Sequence, residues 1–116
     1  MTSKDKAIKI ANILDTKKGE DISLLDLTSV SDLADHFVIC TAMSKNHVKA
    51  LIDEVEFELE KIDIKPNTKS YKADDWQVID YFDVLVHVFT EESRAKYDLE
   101  DVWKEAKKIK IGDDNE

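Results

Sequence analysis

Two segments of the chain carry apolar residues at the three- and four-residue spacing of an amphipathic helix. In the first segment these residues are Ala7, Ile10, Ala11 and Leu14. This pattern predicts a helix of about three turns with Ser3 as its N-cap, and Gly19 helps to turn the chain beyond the helix. In the second segment they are Val48, Leu51, Ile52, Val55, Leu59 and Ile62. Ser44 caps this longest helix, which must end before Pro66 because proline disfavours helical geometry in the preceding residue.

Shorter apolar runs predict strands between and after these helices. They lie at residues 22–27, 36–41, 76–81 and 83–89, with a short edge strand at 68–72. The runs WQVIDY and DVLVHVF are joined so closely around Phe82 that they predict a hairpin. Runs such as FVIC and VLVHV are apolar on both faces, which is typical of a sheet that helices cover on at least part of each side.

The last part of the chain predicts two further helices. Thr90, followed by Glu91 and Glu92, marks the start of a short helix. The apolar stripe of the final helix consists of Leu99, Val102, Trp103 and Ala106. The order of elements, from helix through paired strands to helices, indicates a small α/β domain with a mixed β-sheet flanked by helices.

Length and composition limit the class of protein. A chain of 116 residues is the size of one domain, so we assign residues 1–110 to a single domain and 111–116 to a flexible tail. No apolar run approaches the roughly 20 residues of a membrane-spanning helix, and the N-terminus lacks the apolar stretch of a signal peptide. The single cysteine, Cys40, excludes an internal disulfide and fits a reducing compartment. We therefore expect a cytoplasmic protein without membrane association.

The net charge of −9 comes from 26 acidic and 17 basic side chains. Such a protein is repelled by nucleic-acid backbones unless its basic side chains are segregated on one face. The lysines are interleaved with acids and Arg94 is the only arginine, so we interpret the lysine clusters as solvated helix faces. The charge favours a basic protein partner and little direct contact with nucleic acid.

Three polar residues of the hairpin are candidates for chemistry. Strand alternation places Asp83 and His87 on one face, with Asp80 near the turn. A carboxylate near an imidazole can form a general-base pair or half of a metal site, so one hypothesis is a nucleotide- or metal-dependent enzyme. In the other hypothesis both aspartates stabilise the turn and His87 is a hydrogen-bonded histidine on a half-buried face. The second is favoured because an enzyme needs further partners.

Such further partners are not found in the sequence. No serine lies in a nucleophile elbow, and the two glycines, Gly19 and Gly112, cannot form a phosphate-binding loop. The three histidines lack metal-ligand spacing, and Cys40 lies within an apolar strand as a small core residue. We therefore predict no enzyme activity, no cofactor and no metal.

Trp76 has two interpretations, and the residues leave both open. An aromatic residue at the start of a strand is usually part of the core. However, Trp76 directly follows the charged turn at residues 73–75, and a partly exposed tryptophan beside carboxylates is a typical anchor for docking onto a basic protein.

Two segments resemble the ribosomal silencing factor family, also called Iojap or the YbeB type. They are DLADHFVICTAMSKNHVKALIDEVE at residues 32–56 and WQVIDYFDVLVHVFTEESRAKYDLEDVW at residues 76–103. With the first helix and strand included, the likeness covers nearly the whole chain. The specific part is a tryptophan, an aspartate four residues on, a second aspartate three later and V-x-V-H-V, followed by TEESR-x-x-Y-x-LE-x-x-W.

The resemblance implies a small α/β domain similar to nucleotidyltransferases but without their catalytic residues. It also implies a translational repressor that binds the large ribosomal subunit through its fourteenth protein. Such a protein blocks joining with the small subunit when nutrients are short. The docking residues carried over are Trp76, Asp80, Tyr81, Asp83, Glu91, Arg94 and Tyr97. A homodimer of the free protein, with the apolar hairpin face buried against its own copy, also fits the resemblance.

The chain departs from the family pattern at three places. The family commonly has glycine where Phe82 and Ala42 stand, and a Glu-Gly pair where Lys69 and Ser70 stand. These differences bear on the hairpin turn and on the contacts of the edge strand. The turn is therefore expected to take a shape that accepts an aromatic residue.

Overall fold

A computed structural model describes the backbone of residues 1–109 and, except at positions 71 and 72, their side chains. The helices are α1 (Ser3–Thr16), α2 (Lys45–Glu60), α3 (Glu91–Tyr97) and α4 (Leu99–Val102). The strands are β1 (Glu20–Asp26), β2 (His36–Ala42), β3 (Thr68–Ala73), β4 (Trp76–Asp80), β5 (Val84–Thr90) and β6 (Lys107–Ile109). The predicted tail at 111–116 lies outside the described residues.

Within residues 1–109, the strands form one six-stranded mixed sheet in the order β3-β4-β5-β2-β1-β6. β2 and β5 are parallel, and the other neighbours are antiparallel. The predicted mixed sheet and the tight β4–β5 hairpin are confirmed. Because β2 and β5 run in the same direction, α2 and α3, which follow them, start at the same edge of the sheet.

Helices pack on both faces of the sheet, as predicted. On the first face, α1 and α2 bury the residues Ala7, Ile10, Ala11, Leu14, Val48, Leu51, Ile52, Val55 and Leu59. On the second face, a smaller core of Leu25, Leu27, Ala34, Phe37, Ile39 and Phe89 packs against Trp76, Leu85, Leu99, Trp103 and Ala106. None of the helices in the described part of the chain is long and apolar enough to cross a membrane. The C-terminal segment thus covers the face that the two long helices leave open.

Both long helices begin at a side-chain cap. The N–H of His47 donates to Ser44 Oγ (3.1 Å), as predicted. In α1 the cap is Thr2 and not the predicted Ser3. The Thr2 hydroxyl accepts the backbone N–H of Asp5, and the Asp5 carboxylate accepts the backbone N–H of Thr2. This reciprocal pair is a capping box. It starts α1 one residue earlier than expected, and the helix extends over 14 residues.

The end of α1 has a left-handed residue, but that residue is not the glycine. Lys18 has a φ of 69°. The N–H groups of Lys18 and Gly19 donate to Asp15 O (3.1 Å) and Leu14 O (2.8 Å), which is a Schellman motif. Gly19 is required for space, since a Cβ at this position would lie 2.5 Å from Cys40 Sγ.

Replacing Gly19 with alanine is therefore expected to destabilise the protein by about 1–3 kcal/mol, the usual cost of overpacking. Cys40→Ala removes the sulfur atom in the way, so the double variant should lose less stability than the sum of the single variants. Urea unfolding of all four proteins measures this difference. Strictly additive losses would show that the sulfur does not set the cost, and would assign it to the Leu14 carbonyl oxygen, 2.9 Å from the same Cβ.

The predicted final helix is shorter than expected. α4 ends at Val102, and a turn leads into β6, a strand that the apolar pattern did not predict and that pairs with β1. Leu99, Trp103 and Ala106 still pack on the second core, whereas Val102 is 65% exposed. The helical spacing therefore identified three half-buried residues that pack on the second core. A short helix followed by a turn places them there as well as a continuous helix does.

Candidate docking surface

The turn between β4 and β5 is built around Phe82. The N–H of Tyr81 donates to Val84 O (2.9 Å), and the N–H of Asp83 donates to Tyr81 O (2.9 Å). Phe82 is thus the central residue of a γ-turn, with a φ of 71° in the left-handed region. Its own N–H donates to Asp80 Oδ1 (2.7 Å). The hypothesis that Asp80 stabilises the turn is confirmed, and the turn does take a conformation that is unusual for an aromatic residue.

The carboxylate of Asp83 contacts α1 and not the histidine. Lys6 Nζ lies 2.7 Å from Asp83 Oδ1, and the Lys6 side chain is 15% exposed. The His87 ring lies on the other face of the sheet, with its centroid 4.7 Å from that of Phe37. The prediction that Asp83 and His87 share a face is wrong because β5 begins at Val84, so strand alternation does not extend into the turn.

Asp80, Asp83 and His87 are therefore not brought together. Asp80 bonds the turn, Asp83 pairs with a lysine, and His87 packs in the second core. In the described part of the chain, no group of three or more His, Cys, Asp or Glu side chains is placed to hold a metal ion. The residue set of the enzyme hypothesis is thus not assembled.

Trp76 belongs partly to the core and partly to the surface. Its indole N–H donates to His87 Nδ1 (3.2 Å), which requires that His87 Nδ1 carries no proton. Its ring stacks on Phe89, with centroids 5.0 Å apart, and also lies 4.5 Å from the ring of Tyr97. Tyr97 is 37% exposed and Trp76 is half-buried. Both interpretations of Trp76 hold in part, since it packs on the core and reaches the surface beside Tyr97.

Tyr81 is a predicted docking residue that lies inside the protein. Its side chain is 0% exposed and shares the first core with Ile79. Burial raises the pKa of its hydroxyl, and the nearby Glu56 and Glu60 add to the rise. A fully buried side chain cannot contact a partner, so Tyr81 is withdrawn from the docking set.

Arg94 is also engaged within the chain. Its guanidinium donates to Glu100 Oε1 (2.9 Å), Thr41 Oγ1 (2.8 Å), Ser23 Oγ (3.0 Å) and the backbone oxygen of Asp21. Its side chain is only 14% exposed. These bonds tie α3 to β1, β2 and α4, so the prediction that Arg94 binds a partner is corrected to a structural role.

The ion pair between Arg94 and Glu100 makes stability depend on pH. Burial raises the pKa of the Glu100 carboxyl, but hydrogen bonds from Ser23 and Arg94 outweigh burial and hold the pKa below its ordinary value of 4.5. Because the folded-state pKa is the lower one, the stabilisation is complete above the unfolded pKa and is lost as pH falls through the folded pKa. Glu100→Gln should therefore lower the urea midpoint at pH 7 and approach the wild-type midpoint at pH 3. An equal deficit at both pH values would contradict this linkage.

Glu91 is exposed at the start of α3 and lines a groove at the sheet edge where β2 and β5 end. The other charged residues in the wall of the groove are Glu20, Asp75, Glu92 and Lys45. The N–H of Thr90 donates to Asp75 O (3.1 Å), so the groove lies beside the start of β4 and Trp76. The surroundings of Trp76 at this edge are thus mainly acidic.

The predicted residues that remain accessible form what we call the Trp76 surface: Trp76, Asp80, Glu91 and Tyr97. Asp83 is partly accessible but is paired with Lys6. The face of the hairpin is already covered within one chain, since Val78, His87 and Phe89 are 6%, 6% and 0% exposed. The prediction that this face is open for a homodimer contact is therefore wrong, while the dimer itself stays a prediction.

Two charged residues that hold this region together were not predicted. Lys6 anchors the hairpin tip and Glu100 anchors Arg94. Both lie at positions that helical spacing assigns to a polar face, so the sequence pattern does not distinguish them from solvated charges. The one available signal was Arg94, because a sole arginine among sixteen lysines (17 − 1) points to a site that needs its forked donor geometry.

The departures from the family pattern differ in what they require of the backbone. Among the described residues with positive φ, Phe82 is present but Ala42 is not, so the backbone at Ala42 does not require glycine. Lys69 Nζ lies 2.8 Å from Glu56 Oε1 of α2, which ties the edge strand β3 to the helix layer.

These features define a small mixed α/β domain in which a half-buried tryptophan reaches the surface beside several carboxylates. A sequence model of the family described as "Ribosomal silencing factor during starvation" matches residues 1–116. The chain therefore belongs to the ribosomal silencing factor family, and the resemblance found in the sequence is confirmed.

Individual relatives agree with this assignment. A protein named Ribosomal silencing factor RsfS from Halalkalibacterium halodurans is 35% identical over 102 residues, which is 86% of each chain. The relative of the same name from Bacillus subtilis is 34% identical over 79% of each chain. The protein named Iojap, chloroplastic, from Zea mays is 29% identical over 90% of this chain and 46% of its own length.

Solved structures show the same fold. A crystal structure of a protein from Chromobacterium violaceum is similar with a TM-score of 0.85 and 26% identity, covering 97% of this chain and 93% of the other. A crystal structure from Bacillus halodurans has a TM-score of 0.78 and 30% identity, covering 92% and 99%. The likeness to nucleotidyltransferases that the resemblance implies is not tested by these matches and stays a prediction.

Proposed function

We propose that this chain represses translation without catalysis, by binding the free large ribosomal subunit at its fourteenth protein. Bound there, it would block joining with the small subunit, and it would act when nutrients are limiting. Membership in a family of ribosomal silencing factors supports the regulatory role. Steric occlusion requires a stable docking surface and no reacting groups, so the dispersed positions of Asp80, Asp83 and His87 are compatible with it.

The observation that carries the proposal is the aromatic pair of Trp76 and Tyr97, with ring planes tilted by 40°, at an acidic part of the surface. Their rings lie 4.5 Å apart, and the hydrogen bond from Trp76 to His87 (3.2 Å) fixes the indole before any partner arrives. A rigid aromatic anchor loses little side-chain entropy on binding. Such anchors carry much of the energy of protein interfaces, so Trp76 is the expected centre of the contact.

The charge of the surface favours a basic protein over RNA. Glu91 and its neighbouring carboxylates lie beside the aromatic pair, and the whole chain has a net charge of −9. Phosphate backbones would be repelled by this edge, whereas lysine and arginine side chains of a ribosomal protein would be attracted. Binding should therefore weaken as salt concentration rises, because these charges are exposed.

Capture of purified components tests the proposal. The immobilised chain should retain purified large subunits and the isolated fourteenth protein, but not small subunits, and retention should fall as salt is raised. Light scattering over a dilution series reports whether the free protein is a dimer. Retention of the large subunit without retention of the isolated fourteenth protein would place the contact elsewhere. Failure to retain large subunits would contradict the proposed function itself.

A further inference from the structure

Phe82 is an aromatic residue whose position internal packing does not explain. Its side chain is 66% exposed, although a phenylalanine usually lies in a core. Its φ of 71° is one that bulky side chains rarely adopt and that glycine or asparagine adopts readily. The strained backbone opposes folding stability, and the exposed ring contributes little burial to offset it. Strain of this kind is retained where it contributes to function.

The surrounding bonds hold Phe82 in this strained position. Asp80 Oδ1 accepts the Phe82 N–H at 2.7 Å, and Lys6 Nζ lies 2.7 Å from Asp83 Oδ1. The carbonyl oxygen of Asp83 accepts the N–H groups of Asp35 (2.9 Å) and His36 (3.1 Å). The hairpin tip is thus bonded to α1 and to the segment that precedes β2. These bonds fix the backbone of Phe82. An exposed ring on a fixed backbone resembles the preformed anchors of protein interfaces.

A second exposed apolar side chain lies in that same segment. Leu33 is 62% exposed and lies two residues before Asp35, whose N–H bonds the hairpin tip. The neighbouring carboxylates are Asp32, Asp35 and Asp80, while Lys6 is already paired with Asp83. The apolar residues therefore have an acidic rim. Two copies of the chain would repel each other there, whereas a basic protein surface would be attracted.

We propose that Phe82, together with Leu33, is a second anchor that inserts into an apolar pocket on the basic ribosomal protein that the Trp76 surface engages. This inference rests on the proposed function. Phe82 lies just beyond one end of β4 and Trp76 forms the other end. The two anchors are therefore six residues (82 − 76), about 20 Å, apart along the strand. An interface of standard size, about 800 Å² per partner, spans this distance. Asp80 lies on the same strand face as Trp76 and is positioned between the two anchors.

Phe82→Asn tests the proposal because asparagine accepts a positive φ but lacks the ring. Titration against purified large subunits should show binding weaker by about 10-fold or more, while the urea midpoint stays the same or rises as the strain is relieved. Leu33→Ser should weaken binding in the same direction. Phe57→Ala is the matched control, since Phe57 is 56% exposed but lies on α2, and it should bind like the wild type.

Each outcome separates the proposal from its rivals. Unchanged affinity of Phe82→Asn, beside a wild type that binds, overturns the second anchor and leaves the proposed function standing. A lower urea midpoint would instead assign Phe82 to folding. If light scattering shows a dimer for the wild type and a monomer for Phe82→Asn, a second copy of the chain occupies the site. In that case the proposal of a basic partner is wrong. If the wild type does not bind large subunits, the proposed function fails and this inference fails with it.

Discussion

Replacing Trp76 with alanine is expected to weaken binding to the large ribosomal subunit by about 100-fold, the loss typical of a central aromatic anchor. The variant removes the ring that contacts Tyr97 (centroids 4.5 Å apart) and the indole N–H that donates to His87 (3.2 Å). It should remain folded, because the first core between the sheet and the two long helices does not include Trp76. Titration with purified subunits measures the affinity, and circular dichroism with urea unfolding measures the fold.

The second tryptophan provides a matched control for this prediction. Trp103 is also half-buried and also packs on the second core, with its ring 5.8 Å from that of Phe37. Trp103→Ala should cost stability of similar size but leave subunit binding unchanged, since its ring is not part of the Trp76 surface. If both variants lose binding in proportion to their loss of stability, Trp76 acts only as a core residue. If Trp76→Ala binds as tightly as the wild type, the docking surface lies elsewhere.

Replacing Arg94 with alanine is expected to be the most destabilising of these changes, by about 2–4 kcal/mol. The substitution leaves Glu100 partly buried without its main cation and removes donors to Ser23 Oγ (3.0 Å) and Thr41 Oγ1 (2.8 Å). The stability of Arg94→Lys should fall between those of the wild type and Arg94→Ala. The lysine ammonium group keeps the positive charge but lacks the several planar N–H donors of the guanidinium. The free energy of unfolding from urea titrations at pH 7 provides the comparison.

A double-mutant cycle separates the ion pair from the rest of this network. Arg94→Ala combined with Glu100→Gln should lose less stability than the sum of the two changes, since the double variant contains no unpaired carboxylate. Lys96→Ala, at an exposed position of the same helix, serves as the control and should change stability little. A loss below about 0.5 kcal/mol for Arg94→Ala, the range of ordinary surface changes, would contradict the structural role assigned to this arginine.

The elements of the fold could largely be predicted from the sequence because each carries a strong local signal. Helical spacing marks α1 and α2, Ser44 and Thr90 cap their helices as expected, and the two apolar runs around Phe82 give the hairpin. β6 was missed because it contains three residues and depends on pairing with β1. Its local signal, the alternation of lysine and isoleucine at residues 108–111, is weaker than the helical stripe before it.

The site was predicted less well, because contacts between distant segments decide which side chains remain available. Tyr81 was predicted to contact a partner, and only the packed sheet shows that its side chain is completely covered. Asp83 reaches Lys6, 77 positions away, and Arg94 bonds Asp21, 73 positions away. No local pattern encodes such pairs. The acidic neighbours of Trp76 in the sequence mark it as a candidate for docking. How much of its side chain is buried, however, depends on its packing against both Tyr97 and Phe89.

Sedimentation of ribosomal subunits tests the proposed repression most directly. Purified large and small subunits are mixed with the wild-type chain under conditions that favour joining, and the mixture is separated on a sucrose gradient, with Trp76→Ala as the matched control. We expect the wild type to shift joined ribosomes toward free subunits and to migrate with the large subunit, and the variant to do neither at the same concentration. Undiminished joining, with the wild-type chain remaining at the top of the gradient, would contradict the proposal.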